Sequence, residues 1–172
     1  MAHEDWRLLA ETRSCEEFAG AYPHPFLLSL SGLVAPPPPP RTLRMDDVTH
    51  VAQVELIRAE RRRRLTPADR EPAVLPVRKQ QPTFPSMITV GRARNNDIVV
   101  PDALVSKLHA FFRCQDGQWS LEDAGSVNGT RVGAAVVAYK GPPGTLRSGD
   151  HVMFGEQSFR FLDATTLWIS LR

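Results

Sequence analysis

Cysteine, long apolar runs and net charge are what this sequence has least of, and each shortage removes a class of protein. Its two cysteines, Cys15 and Cys114, lie far apart in 172 residues with no CxxC or Cys/His ligand spacing. Neither a disulfide framework nor a zinc site is suggested, and both read as free thiols of a reducing compartment. The longest apolar run, Phe26 to Val34, is interrupted by Ser29, Ser31 and Gly32 and falls short of the roughly 20 residues that span a bilayer. Ahead of it, Glu4, Asp5, Glu11, Glu16 and Glu17 outnumber Arg7 and Arg13, the wrong charge for a secretory leader. The expected location is therefore cytoplasmic, with no membrane partner. A formal charge of +2 leaves no global field to attract nucleic acid. No GxxxxGK[ST] loop, GxSxG elbow or HExxH helix occurs, so no enzyme, cofactor or metal site is expected.

What is present is an ordinary globular composition, 42% hydrophobic and 23% charged, in a chain long enough for one domain and an appendage. The expected division falls between residues 1–72, an N-terminal region, and residues 73–172, the domain proper. Between His3 and Gly20 the residues Trp6, Leu9, Ala10, Phe18 and Ala19 recur at helical spacing, predicting a short amphipathic helix. Pro36 to Pro40 is an unbroken proline tract, a stiff polyproline II spacer or, less economically, a docking ligand. Asp46 to Arg64 returns to helical periodicity and ends in the basic run Arg61 to Arg64, which suits a helix C-terminus better than a nucleic-acid contact. Pro67, Pro72, Pro76, Pro82 and Pro85 then exclude continuous helix.

Beyond Pro85 short β-type runs alternate with turn residues, the pattern of an antiparallel sandwich or barrel. The predicted strands are Met87 to Val90, Asp97 to Val100, His109 to Cys114, Trp119 to Asp123, Val132 to Val137, His151 to Phe154 and Ser158 to Leu162. Asp116-Gly117 marks a hairpin, and 141–144 and 148–150 are turns. Residues 165–172 fit either a closing strand or a terminal helix capped by Asp163.

Three loop motifs fall between those strands: Gly91-Arg92-Ala93-Arg94-Asn95-Asn96-Asp97, Ser106-Lys107-Leu108-His109 and Ser126-Val127-Asn128-Gly129-Thr130. In this order and spacing, with Leu146, Gly149-Asp150, Phe154-Gly155 and Phe159 further on, they resemble the signature of the forkhead-associated (FHA) family over roughly the last 90 to 100 residues, one small domain. The resemblance implies an all-β, FHA-type antiparallel sandwich that binds phosphothreonine peptides. It implies that Arg92 and Ser106 contact the phosphate, that Lys107 assists, and that Asn128 holds the peptide backbone. Gly91, His109, Gly129 and Thr130 would be structural. Val127 stands where relatives often carry a polar residue, which bears on how the peptide is gripped. The residue chemistry is compatible: a phosphothreonine carries a charge near −2 and three acceptor oxygens, which call for a guanidinium, a hydroxyl donor and a second cation. Arg92, Ser106 and Lys107 are such a set, on loops at strand ends, and the Asn128 amide both donates and accepts. No nucleophile and base pair accompanies His109, so it is assigned no chemistry.

The expected function is that of an adaptor in serine/threonine kinase signalling, whose partner is a threonine-phosphorylated protein or peptide. Two alternatives stand beside it: phosphate-independent assembly, and, less favoured, nucleic-acid binding through Arg61 to Arg64. Arg63-Arg64-Leu65-Thr66 also suits a basophilic kinase, making Thr66 a candidate phosphosite whose phosphate would occupy the chain's own pocket.

Overall fold

The computed structural model describes residues 5–30, 72–82 and 84–172. The proline tract, the helix expected over Asp46 to Arg64 with its basic run, and Thr66 lie outside the described residues.

Two helices open the chain, α1 (Trp6–Thr12) and α2 (Cys15–Ala21). The single helix expected over His3 to Gly20 is interrupted at Arg13 and Ser14. Ser14 starts α2 with a reciprocal capping box: its hydroxyl accepts from the Glu17 amide at 3.2 Å, and the Glu17 carboxylate accepts from the Ser14 amide at 2.8 Å. Two orphan backbone donors are satisfied there, which outweighs continuing the helix.

Eleven strands follow among the described residues: β1 (Phe26–Ser29), β2 (Val74–Pro76), β3 (Ile88–Gly91), β4 (Ile98–Val99), β5 (Ala110–Gln115), β6 (Gln118–Asp123), β7 (Thr130–Val132), β8 (Ala135–Val137), β9 (Gly144–Leu146), β10 (His151–Phe154) and β11 (Gln157–Leu162). The chain closes with α3 (Ala164–Leu171), where the Asp163 carboxylate accepts from the Thr166 amide at 2.7 Å. The end of the chain is therefore a capped helix and not a closing strand. One sheet runs β2-β1-β11-β10-β7-β8, the other β4-β3-β5-β6-β9. Every pairing is antiparallel except β3 with β4, so the sandwich is mostly, not wholly, antiparallel.

The single strand expected over Val132 to Val137 is a hairpin, β7 and β8, turned at Gly133 with φ +57°, a conformation glycine adopts without strain. Gly144 ends the predicted turn but also begins β9. Strand β1, upstream of the expected boundary at residue 72, is bonded into the six-stranded sheet between β2 and β11. Edge strand β2 tolerates Pro76 as its last residue, since an edge needs fewer donors.

The core follows from strand alternation. Ala110, Phe112 and Leu121 on one sheet face Val152, Phe154, Phe159 and Phe161 on the other, with Phe112 and Phe161 stacked at 6.0 Å. Strand β1 departs from alternation because both its faces are covered. Leu27 points into the sandwich, while Phe26 joins Leu162, Trp6, Ala10, Phe18, Ala164 and Leu167 in a second cluster beneath the three helices. The indole N–H of Trp168 donates to the Arg13 carbonyl at 3.1 Å and ties α3 to the α1–α2 junction. Among the described residues no helix is long and apolar enough to cross a membrane.

Candidate functional site

Strand pairing sends four connections to one end of the sandwich. Val90 pairs with Ala110, Ala110 with Asp123, and Thr130 with Phe154. The β3–β4, β4–β5, β6–β7 and β10–β11 loops therefore emerge side by side, and together with Gly91 at the end of β3 and Thr130 at the start of β7 they carry all the predicted site residues except Thr66.

The first two loops are zipped by main-chain bonds, Arg92 N–H to the Ser106 carbonyl at 3.0 Å and Ala93 N–H to the Lys107 carbonyl at 3.2 Å. Only glycine fits at position 91, because a Cβ there would lie 2.3 Å from the Lys107 carbonyl oxygen. The Asn96 amide closes the seam, donating to the carbonyls of Ala93 at 2.8 Å and Lys107 at 2.7 Å. Arg92 and Lys107 are consequently fixed at their backbones while their side chains stay exposed, and neither pairs with a carboxylate among the described residues.

Asp97 anchors the base of the first loop. Its buried carboxylate accepts from Lys79 Nζ at 2.8 Å, from the amides of Gln80, Gln81 and Thr89 at 2.7, 2.6 and 2.8 Å, and from the Thr89 hydroxyl at 3.0 Å. Burial alone would raise its pKa, but the Lys79 ammonium and those donors prevail and hold it at about 2.

Ser106 is placed by two contacts. Its N–H donates to His109 Nδ1 at 3.0 Å, and its Oγ accepts from the Val127 N–H at 3.1 Å. Because Nδ1 accepts, the other ring nitrogen carries the proton, and Nε2–H donates to the Gly129 carbonyl at 3.0 Å. The ring is wholly buried, edge-on to Phe154 at 5.6 Å. Burial pushes its pKa below the usual 6.5, against the opposing pull of the Gly129 carbonyl and Asp123. With both nitrogens engaged by backbone, His109 has none left for proton transfer.

The third loop turns on Asp123, to which the sequence assigned only a strand end. Its carboxylate accepts from the amides of Gly125 and Ser126, both at 2.8 Å, and from the hydroxyls of Ser126 and Thr130. Burial raises its pKa, yet these donors together lower it below the ordinary carboxylate range. Ser126 Oγ also accepts from the Gly129 N–H at 3.0 Å, and Gly129 sits at φ +80°, where a side chain would be strained. Asn128 Nδ2 donates to the Leu104 carbonyl at 2.8 Å, and Val127 projects into solvent, 74% exposed. Arg92, Ser106, Lys107, Val127 and Asn128 thus share one rim. The carboxylates of Asp97, Asp102 and Asp123 beneath it are buried, so the exposed charge contributed by Arg92, Arg94 and Lys107 is positive.

Three comparisons bear on this geometry. Residues 88–155 match the family model of the FHA domain, and this C-terminal part of the chain is an FHA domain. As a family, FHA domains bind phosphothreonine peptides. Similar proteins include the oxoglutarate dehydrogenase inhibitor of Corynebacterium diphtheriae, 39% identical over 75 residues, covering 44% of this chain and 50% of that protein. The glycogen accumulation regulator GarA of Mycolicibacterium smegmatis is 37% identical over 74 residues, covering 43% and 44%. The chain spans half the length or less of these curated relatives. Among solved structures, the FHA-2 domain of the Mycobacterium tuberculosis ABC transporter Rv1747 is 34% identical, with a TM-score of 0.40 over 51% of this chain and 77% of that domain.

Proposed function

We propose that this chain is a phosphothreonine-peptide-binding adaptor acting in serine/threonine kinase signalling. Arg92 and Ser106 contact the phosphate, Lys107 supplies a second cation at the rim, and Asn128 with the neighbouring Val127 main chain holds the peptide backbone. Gly91, His109, Gly129 and Thr130 keep the loops in register. The observation that carries this reading is the state of Ser106: its Oγ already accepts from the Val127 N–H, so the hydroxyl proton is directed to an incoming acceptor. It sits beside an arginine whose backbone is bonded to its own. A phosphate with three acceptor oxygens matches that pair. The role is binding and not catalysis, since the histidine at the site has both ring nitrogens committed to main-chain groups.

The test is titration with an oriented phosphothreonine-peptide library, with unphosphorylated and phosphoserine controls. Arg92→Ala is expected to leave the fold intact and weaken binding at least about tenfold, equivalent to about 1.4 kcal/mol. Unchanged affinity would refute the site assignment. A flat response across the library would favour phosphate-independent assembly instead.

A further inference from the structure

Beneath the rim, a buried polar pair ties the β4–β5 loop to the start of β11. Gln157 Nε2, at the start of β11, donates to Asp102 Oδ2 in the β4–β5 loop, across 55 residues of sequence. Gln157 is fully buried and Asp102 is 4% exposed. The other amide atom, Gln157 Oε1, is buried with no hydrogen-bond partner among the described residues, so the glutamine is not there to satisfy itself. Its one engaged end serves the aspartate.

Asp102 organises the chain that leads to Ser106. Its Oδ1 accepts from the Leu104 amide at 2.8 Å, and its carbonyl accepts from the Val105 amide at 3.1 Å. The turn so formed directs the Leu104 carbonyl at Asn128, whose Nδ2 donates to it at 2.8 Å. The same carbonyl lies against the β10–β11 turn, where a Cβ added to Gly155 would approach it to 2.8 Å. Leu104 is therefore one joint between the loop carrying Ser106 and the loop carrying Asn128, beside the Val127–Ser106 and His109–Gly129 bonds, and the only one of the three that Asp102 positions through its own bond.

We infer that Asp102 and Gln157 are positioning residues for the phosphopeptide pocket, fixing the spacing of Ser106 from Asn128 by locking the β4–β5 loop to the β10–β11 hairpin. The inference rests on the phosphothreonine reading of that pocket. Neither residue is part of the exposed rim. The physical reason is that a buried carboxylate must keep its donors. Deprived of the Gln157 amide, Asp102 moves toward water and takes Leu104 with it, so the loop opens at the pocket while the core of stacked phenylalanines stays closed.

The test compares phosphothreonine-peptide affinity in the full chain with Gln157→Leu, which keeps volume but removes the donor, and with Gln157→Glu, which sets two carboxylates against each other. Both are expected to weaken binding at least roughly tenfold. The isosteric double variant Asp102→Asn/Gln157→Glu restores a donor facing an acceptor with their roles exchanged, and is expected to recover affinity to within about threefold of wild type. Leu167→Ala, which destabilises the distant helical cluster, serves as the control and is expected to bind as wild type does. If Gln157→Leu does not fold, the Gln157→Glu single and the double variant carry the comparison alone. Single variants that bind within about twofold of wild type, or a double variant no better than Gln157→Glu, would overturn the positioning role. A wild-type chain that binds no phosphothreonine peptide would overturn the underlying reading, and this inference with it.

Discussion

His109→Ala is the substitution whose consequences the geometry specifies most fully. The ring is completely buried, so truncation leaves a cavity, and comparable large-to-small changes in cores cost about 2–5 kcal/mol. The Gly129 carbonyl keeps the Gly155 amide at 2.9 Å and stays satisfied. The Ser106 amide loses its acceptor, adding about 1–3 kcal/mol if water does not reach it. Loss of the edge contact with Phe154 overlaps with the cavity term and is not added separately. The expected destabilisation is about 3–8 kcal/mol, the upper part applying if water does not reach the Ser106 amide, which in a chain of this size lowers the melting temperature by at least roughly 6 °C. Urea denaturation measures the first quantity and calorimetric titration the second expectation, a loss of at least about tenfold in phosphopeptide affinity as Ser106 loses its anchor. The pH dependence adds an independent check. Below pH 6.5 the unfolded histidine takes up a proton that the folded one resists, so the His109 contribution is complete above 6.5 and declines as pH falls beneath it. The difference between wild type and variant must shrink on acidification through that region. A destabilisation under about 1 kcal/mol, or a difference independent of pH, would refute the hydrogen-bonded account of His109.

Further expectations concern the loop base, the helical cluster and the N-terminal segment. Asp97→Asn is expected to cost about 2–4 kcal/mol at neutral pH by removing the charge that gathers Lys79 and the Gln80, Gln81 and Thr89 amides. Because Asp97 is held at about 2 against an ordinary 3.8, its contribution in the wild type is present above pH 3.8 and lost between there and about pH 2, which acid unfolding curves of the two proteins will compare. Leu167→Ala is expected to cost about 2–5 kcal/mol in urea denaturation. For Thr66, phosphorylation is expected to lower affinity for an external phosphopeptide if its phosphate occupies the pocket; unaltered affinity in the phosphorylated chain excludes self-occupancy.

Much of the domain is legible in the sequence because, from residue 88 on, inward and outward residues alternate between punctuating turns. The loop motifs fall where strands end, and it is their resemblance to the FHA signature that groups Arg92, Ser106, Lys107 and Asn128 at the level of sequence. Three features resist such reading for distinct reasons. The run Phe26-Leu27-Leu28 has no alternation because the helices cover the face opposite the sandwich core, and without alternation a short strand looks like any apolar segment. The hairpin at Gly133 reads as one strand because its turn is short and its flanks are equally β-forming. The pairing of Asp102 with Gln157 has no local signature at all, since its partners are 55 residues apart and meet only through the packing of two sheets. The break between α1 and α2 was present as Ser14 followed at three residues by Glu17, but apolar periodicity runs across it and conceals it.

Strand register also separates what stabilises the fold from what shapes the site. Phe26 pairs with Leu162 at one end of the six-stranded sheet, and there the three helices cover the outward apolar side chains. At the other end Phe154 pairs with Gln157 and Thr130, and buried polar groups, His109, Asp123, Asp102 and Asp97, do the work of apolar packing by holding loops through directed bonds. Such bonds fix loop geometry more sharply than apolar contact does, because each donor admits few acceptor positions. The arrangement suits a rim that must present a guanidinium, a hydroxyl and an amide at set spacings. Leu30 and Ala73 lie at this same end, since Leu30 N–H bonds to the Ser158 carbonyl and Ser29 N–H to that of Ala73. Changes in the helical cluster therefore act on stability from the far end of the sandwich, whereas changes between Asp97 and Asp123 act on the rim directly.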